Sequence, residues 1–223
     1  MKMAKRKHIC NGVLVIIGGC IWMTYLGSQF IVSLLSPYIQ SYYNVSAEET
    51  QILLPLMNTI SMPCVVLGSQ LTQNHFNPRL QLAIGGLIGI GGCFAAGSAK
   101  SYLAFLILFP ATFGICNGLT YVVPLNIAWQ YFPGREGLVA GVVVAAFGLG
   151  GGIFGPLATA LINPNGVAPR KGDGDRPFDD AVAGNLPKCL REIAIVFAVF
   201  LFITVLLMVG EPDEYMVDDL AGG

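Results

Sequence analysis

Six long apolar runs without Asp, Glu, Lys or Arg order this chain: 12–35, 51–71, 80–99, 102–130, 137–162 and 193–210. A bilayer core is crossed by about 20 apolar residues in helical conformation, so the runs predict helices 1 to 6, all transmembrane. The implied fold class is all-α, a polytopic bundle spanning residues 12–210, with a basic flank at 1–11 and an acidic tail at 211–223. Helix 1 is expected to end at Ser36-Pro37, because proline removes a backbone donor and biases the residue before it away from helix. A polar loop follows at 40–46. Ser46-Ala-Glu-Glu49 then has capping-box spacing, which places the start of helix 2. Asn44-Val45-Ser46 also spells a glycosylation sequon, but its closeness to the bilayer favours the capping role.

Helix 2 holds Pro55 and Pro63, tolerated in a span only where neighbours satisfy the freed carbonyls. Helix 3 is rich in glycine, and the minimal turn at Lys100-Ser101 makes helices 3 and 4 antiparallel neighbours. Helix 5 carries Gly137, Gly141, Gly148, Gly152 and Gly155 at spacings that let another helix approach closely. These glycines, with Arg135 before them, form a candidate packing interface. The connection 163–191 holds Asp173, Asp175, Asp179 and Asp180 among glycines and prolines and reads as a solvated loop. Helix 6 is apolar all round, which suits a lipid-facing position. X-Pro-basic turns precede helices 3 and 6 (Asn77-Pro78-Arg79 and Leu186-Pro187-Lys188), a sign of two inverted three-helix repeats.

Composition narrows the class. Hydrophobic residues make up 54% and charged residues 11%, against roughly 25% charged in soluble folds. A soluble enzyme and a disordered chain are excluded, and a net charge of -1 gives no basic field for nucleic acid. The six cysteines show no C-x-x-C pair and read as packing residues. The basic start, Met1 to His8, resembles a signal peptide. Its apolar run is too long and lacks an A-x-A site, so it is expected to flank an uncleaved helix. Lys2, Lys5, Arg6, Lys7, Arg79 and Arg135 would lie on one side of the membrane, and Lys100, Arg170, Lys171, Arg176, Lys188 and Arg191 on the other. The strongly basic first flank favours both termini on the cytosolic or matrix side, in a plasma or organelle membrane.

One stretch carries a family resemblance. Gly114-Ile-Cys-Asn117-Gly118-Leu-Thr-Tyr121-Val-Val-Pro124 continues into Trp129-Gln-Tyr-Phe132-Pro133-Gly-Arg135-Glu-Gly137 and then Gly148 to Pro156. This resembles the oxalate/formate antiporter and monocarboxylate transporter branch of the major facilitator superfamily, where a W-x-F-P-x-[RK]-[RK]-G loop leads into a glycine-rich fifth helix. The resemblance implies half of a twelve-helix carrier for small carboxylates. It implies that helices 1 and 4 line the central cavity, and that the substrate-holding cations belong to the other half. Two features depart from the branch. The charged brace after helix 2 lacks its aspartate (Gly68 to Arg79), and the acidic, tryptophan-rich entry to helix 1 is replaced by Asn11-Gly12.

Ionisable residues inside spans mark ion and proton pathways, and this chain has no Asp, Glu, Lys or Arg in any run. The candidate substrate contacts are therefore neutral: Tyr25, Gln29, Asn58, Asn117 and Tyr121. Tyr25/Gln29 and Asn117/Tyr121 are i,i+4 pairs, each on one helix face. Such groups either hydrogen-bond a carboxylate or bond across helices and hold the bundle together, for about 0.6 kcal/mol apiece. No catalytic set, metal site or cofactor motif is present, so no enzyme activity is expected. Two functions follow. In the first, the chain is a transporter half that works only with a second six-helix bundle, as a homodimer or with another chain. In the second, it is a non-transporting accessory subunit of a larger membrane complex. The chain may equally be a fragment of a longer carrier.

Overall fold

Each uncharged run is a helix in the computed structural model, which describes residues 2–170 and 176–208, with side chains from His8 onward. The spans are helix 1 (His8–Tyr43), helix 2 (Ala47–Gln73), helix 3 (Pro78–Ala96), helix 4 (Tyr102–Tyr131), helix 5 (Glu136–Ile162) and helix 6 (Asp180–Leu207). No strand occurs among the described residues. The basic flank is helical from Lys2 and runs without a break to Gly27. The capping box at helix 2 is present: Ser46 Oγ accepts from Glu49 N at 3.3 Å, and Glu49 Oε2 accepts from Ser46 N at 2.7 Å.

Helix 1 does not end at Ser36-Pro37. It passes through Pro37 to Tyr43 and stops at Asn44, whose backbone is left-handed (φ 55°) and whose N–H returns to the Gln40 carbonyl. A proline is tolerated here because neighbouring groups replace the water a soluble helix end would use. Ser36 Oγ, Thr50 Oγ1 and Gln40 Nε2 bond one another across helices 1 and 2 at 2.7–3.3 Å. The real interruption of helix 1 is a tighter 3₁₀ turn at Ser28–Phe30. Helix 4 is interrupted at 121–122 and helix 2 at Ile52. Those two breaks have a local cause: Pro124 and Pro55 lack the N–H that would reach the carbonyls of Thr120 and Gln51.

Helix 4 packs on helices 2 and 3, helix 1 packs on helices 5 and 6, and contacts of helix 3 with 6 and helix 1 with 4 join the two trios. Moving every helix number by three maps this pattern onto itself, as the paired X-Pro turns anticipate. The close crossings are built alike. Gly27 lies against the Phe147 carbonyl and Gly150 against the Thr24 carbonyl, bringing helices 1 and 5 together. Gly118 lies against Ser61 and Cys64, and Gly68 against the Gly118 and Leu119 carbonyls, bringing helices 2 and 4 together. Gln81 ties helix 3 to both, its Nε2 donating to the Gly68 and Leu119 carbonyls at 2.8 Å each.

Helices 3 and 6 are fastened at both ends. Arg79, at the start of helix 3, donates from Nε to the Met208 carbonyl just past helix 6. Arg191, near the start of helix 6, donates from Nη2 to the Gly97 carbonyl just past helix 3, at 3.0 Å. Helix 6 is not lipid-facing all round. It buries Ile193, Phe197 and Leu201 in the bundle and exposes Ile195, Val199, Phe202 and Leu206.

The fifth connection is docked where it is described, which corrects the expectation of a solvated loop. Phe178 stacks on Tyr38 (ring centroids 4.3 Å apart), its N–H donates to Ser41 Oγ, and Arg176 bridges Asn44 and Asp180. The aromatic ring supplies enough apolar burial to hold a polar segment against helix 1. Asp179 pairs with Arg170 at 2.6 Å. Asp173, Asp175 and the acidic tail lie outside the described residues.

Candidate functional site

The middle of the bundle is where the 3₁₀ turn of helix 1 meets helix 4. There Asn117 Nδ2 donates to Gln29 Oε1 at 3.2 Å, linking two of the residues singled out in the sequence. Both are almost wholly buried, Gln29 at 4% and Asn117 at 6% exposure. Gln29 Nε2 and Asn117 Oδ1 make no hydrogen bond to the described residues. Neither is sealed inside, because Ser28 Oγ is the one fully buried side-chain polar atom without a partner among the described residues. The amide pair therefore shows an edge at the bundle surface.

An aromatic group flanks that edge. Phe30 follows Gln29 in the chain and meets Phe147 of helix 5 edge-on at 5.6 Å. Phe147 meets Tyr121, one turn beyond Asn117, at 5.8 Å. Tyr121 is half-buried, and its hydroxyl has no hydrogen bond among the described residues. Helices 1, 4 and 5 thus join in one patch with an amide pair, a free phenol and two apolar ring edges. It has hydrogen-bonding capacity and apolar surface but no formal charge.

The other two candidates sit elsewhere. Tyr25 is fully buried. It packs against the rings of Trp22, Phe113 and Phe197, and its hydroxyl lies 3.6 Å from Cys116 Sγ. It belongs to the core, together with the Trp22 indole that donates to Thr120 Oγ1 at 3.0 Å. Asn58 is exposed on helix 2, beside Met57, which packs inward. No contact brings it to the amide pair.

The interface candidates divide as well. An added Cβ at Gly137, Gly141, Gly148 or Gly152 would meet nothing within 4 Å, so these four line an open face of helix 5. Gly155 instead packs inward against Leu34 of helix 1. Arg135 is exposed at the start of helix 5. Sequence reasoning missed Gln81, Ser28 and the Phe30–Phe147 contact. For Gln81 the available signal was a lone amide in an otherwise apolar, glycine-rich span. For the others nothing local distinguished them from lipid-facing or packing residues.

At the basal end, between helices 2 and 4, lies an open cavity of about 650 Å³ lined in part by Ser69, Gln73, Asn126, Trp129 and Gln130. It is polar and neutral, like the central patch.

Known proteins share this architecture. The chain is 27% identical over 204 residues to the Apicoplast pyruvate carrier 1 of Toxoplasma gondii, covering 74% of this chain and 37% of that protein. It is 23% identical over 150 residues to Monocarboxylate transporter 12 of Homo sapiens, covering 66% and 29%. It is 32% identical over 94 residues to the Oxalate:formate antiporter of Oxalobacter formigenes, covering 42% and 22%. The chain thus spans little more than a third of these curated relatives at most. The model of the Major Facilitator Superfamily matches residues 17–219. With six membrane-crossing helices in two matching trios and a family match over most of its length, the chain belongs to the Major Facilitator Superfamily.

Proposed function

We propose that this bundle is one half of a carrier for small carboxylic acids, moving them by alternating access with a second six-helix bundle. The observation that carries the reading is a difference between two exposed faces. Helix 6 turns bulky side chains outward (Ile195, Val199, Phe202 and Leu206), a surface suited to lipid tails. Helix 5 turns out a row of glycines, Gly137, Gly141, Gly148 and Gly152, between Leu138 and Leu149. Lipid tails gain little from such a groove, whereas a second helix backbone fits it closely. The Gln29–Asn117 patch is next to that groove through Phe147, so a second bundle docked there would enclose it. Alternating access then follows from rocking one bundle against the other about this shared site. The named relatives transport pyruvate, monocarboxylates, or oxalate and formate, which supports the substrate class.

Uptake of radiolabelled small acids into proteoliposomes tests the proposal. The chain is reconstituted with and without the second bundle that copurifies with it. Uptake is expected only with both, and Gln29→Ala and Tyr121→Phe should each reduce it about tenfold, the loss of one hydrogen bond to substrate. No uptake in any combination, with the chain recovered solely inside a large multi-subunit assembly, would favour the accessory-subunit reading.

A further inference from the structure

We propose that the Gln29–Asn117 pair selects an acid that brings a hydrogen-bond donor beside its acceptor oxygens, either an undissociated carboxylic acid or a 2-hydroxy acid, over a bare carboxylate. This rests on the carrier reading above and specifies the form of substrate its site accepts.

A primary amide has one NH₂ and one carbonyl. In the pair, Asn117 Nδ2 is bonded to Gln29 Oε1. What faces the ligand is therefore the Gln29 NH₂, a donor, and the Asn117 carbonyl, an acceptor. Turning both amides over exchanges the two positions and still leaves one donor and one acceptor, so the conclusion does not depend on which way they point. A carboxylate only accepts. It satisfies the Gln29 NH₂ and sets its negative charge against the Asn117 carbonyl. A carboxyl O–H, or a hydroxyl on the neighbouring carbon, donates to that carbonyl while a carboxyl oxygen accepts from Gln29. Both amide groups are then paired.

The surroundings point the same way. The runs forming helices 1, 2, 4 and 5 contain no Lys or Arg to offset a carboxylate at this depth. Tyr121 adds a further neutral hydroxyl, and Phe30 and Phe147 offer ring edges to the substrate's carbon chain. Titratable groups on the elements packed around the pair are phenols and thiols: Tyr25 and Cys20 on helix 1, Cys64 on helix 2, Cys116 and Tyr121 on helix 4. Phenols and thiols ordinarily ionise above about pH 8. A pH dependence below that value therefore reports on the ligand.

The test is calorimetric binding of three-carbon acids carrying hydroxyl, oxo or hydrogen at the second carbon. It uses the protein in nanodiscs with its second bundle, at pH 5.5 and 7.5. If the hydroxyl is the donor, the 2-hydroxy acid binds at pH 7.5 at least tenfold more tightly than the 2-oxo acid. If the carboxyl is the donor, all three tighten by about a hundredfold at pH 5.5, following the undissociated fraction. Equal affinities for the three acids, unchanged with pH, would overturn the inference and leave the carrier reading intact. No binding of any acid at either pH would overturn both. Asn117→Leu should abolish the discrimination wherever melting shows the variant folded. Should it fail to fold, the selectivity of the unmodified protein decides the matter.

Discussion

Tyr25 and Gln29 lie one turn apart on helix 1 and both reach towards helix 4, as their spacing predicts, yet their surroundings differ. Tyr25 is enclosed by Trp22, Phe113 and Phe197, while the Gln29 amide reaches the bundle surface. The difference comes from Phe197 on helix 6, distant in sequence, so no local pattern reveals it. The same holds for the glycines. Spacing identifies a row able to accept a close neighbour but not which members already have one. Gly27 and Gly150 are occupied by the helix 1–5 crossing, and Gly141 is open. Gly27→Ala forces its methyl into the Phe147 carbonyl and is expected to destabilise the bundle by roughly 1–3 kcal/mol, as overpacking does. Gly141→Ala should leave the isolated bundle's stability unchanged or slightly raised. Thermal unfolding in detergent compares the two, and equal effects would contradict the assigned packing.

At the scale of elements, the six runs and the capping box were legible because hydropathy and capping are local. The ends and breaks of helix 1 were not. Pro37, the strongest breaker by sequence, is accommodated within the helix, and the interruption falls at Ser28–Phe30, next to the Gly27 crossing. The docking of the fifth connection was hidden among its Asp, Gly and Pro residues, although Phe178 was the one large apolar side chain in it. The three-plus-three repeat gains support from the clamps on helices 3 and 6. Each arginine meets the last carbonyls of the facing helix, where a cation is favoured by the helix dipole. Arg79→Gln and Arg191→Gln should each lower stability by about 0.5–1 kcal/mol. Helix 3 separates the two sites by some 28 Å (19 residues at about 1.5 Å each), so the double variant should be additive.

Helix 5 begins with a pH-sensitive contact outside the membrane. Glu136 accepts from its own backbone N–H and from that of Gly134, at 2.7 Å for the latter, and these bonds hold its carboxyl below the usual value. A depressed folded-state value means the contribution is present above the unfolded value of about 4.3 and is lost as pH falls through the folded one. Amide exchange at Gly134 should therefore quicken in acid, and Glu136→Gln should remove that pH dependence.

For the whole molecule, sequence showed a membrane bundle with a carrier's fifth helix, and the structure adds the direction in which it is incomplete. Bulky side chains cover the outer face of helix 6, while the glycine groove of helix 5 stays uncovered beside a neutral, half-open patch. Sequence did not locate the groove, because exposure depends on how helices 1 and 6 cover the other sides of helix 5. The most direct test of the central claim is the native mass of the protein released from nanodiscs, unmodified and with Gly141→Leu and Gly148→Leu together. The account predicts that the unmodified bundle is held with a second six-helix bundle, and that filling the groove separates them without unfolding either. A bundle that stands alone when unmodified, or a pairing that survives with the groove filled, would contradict it.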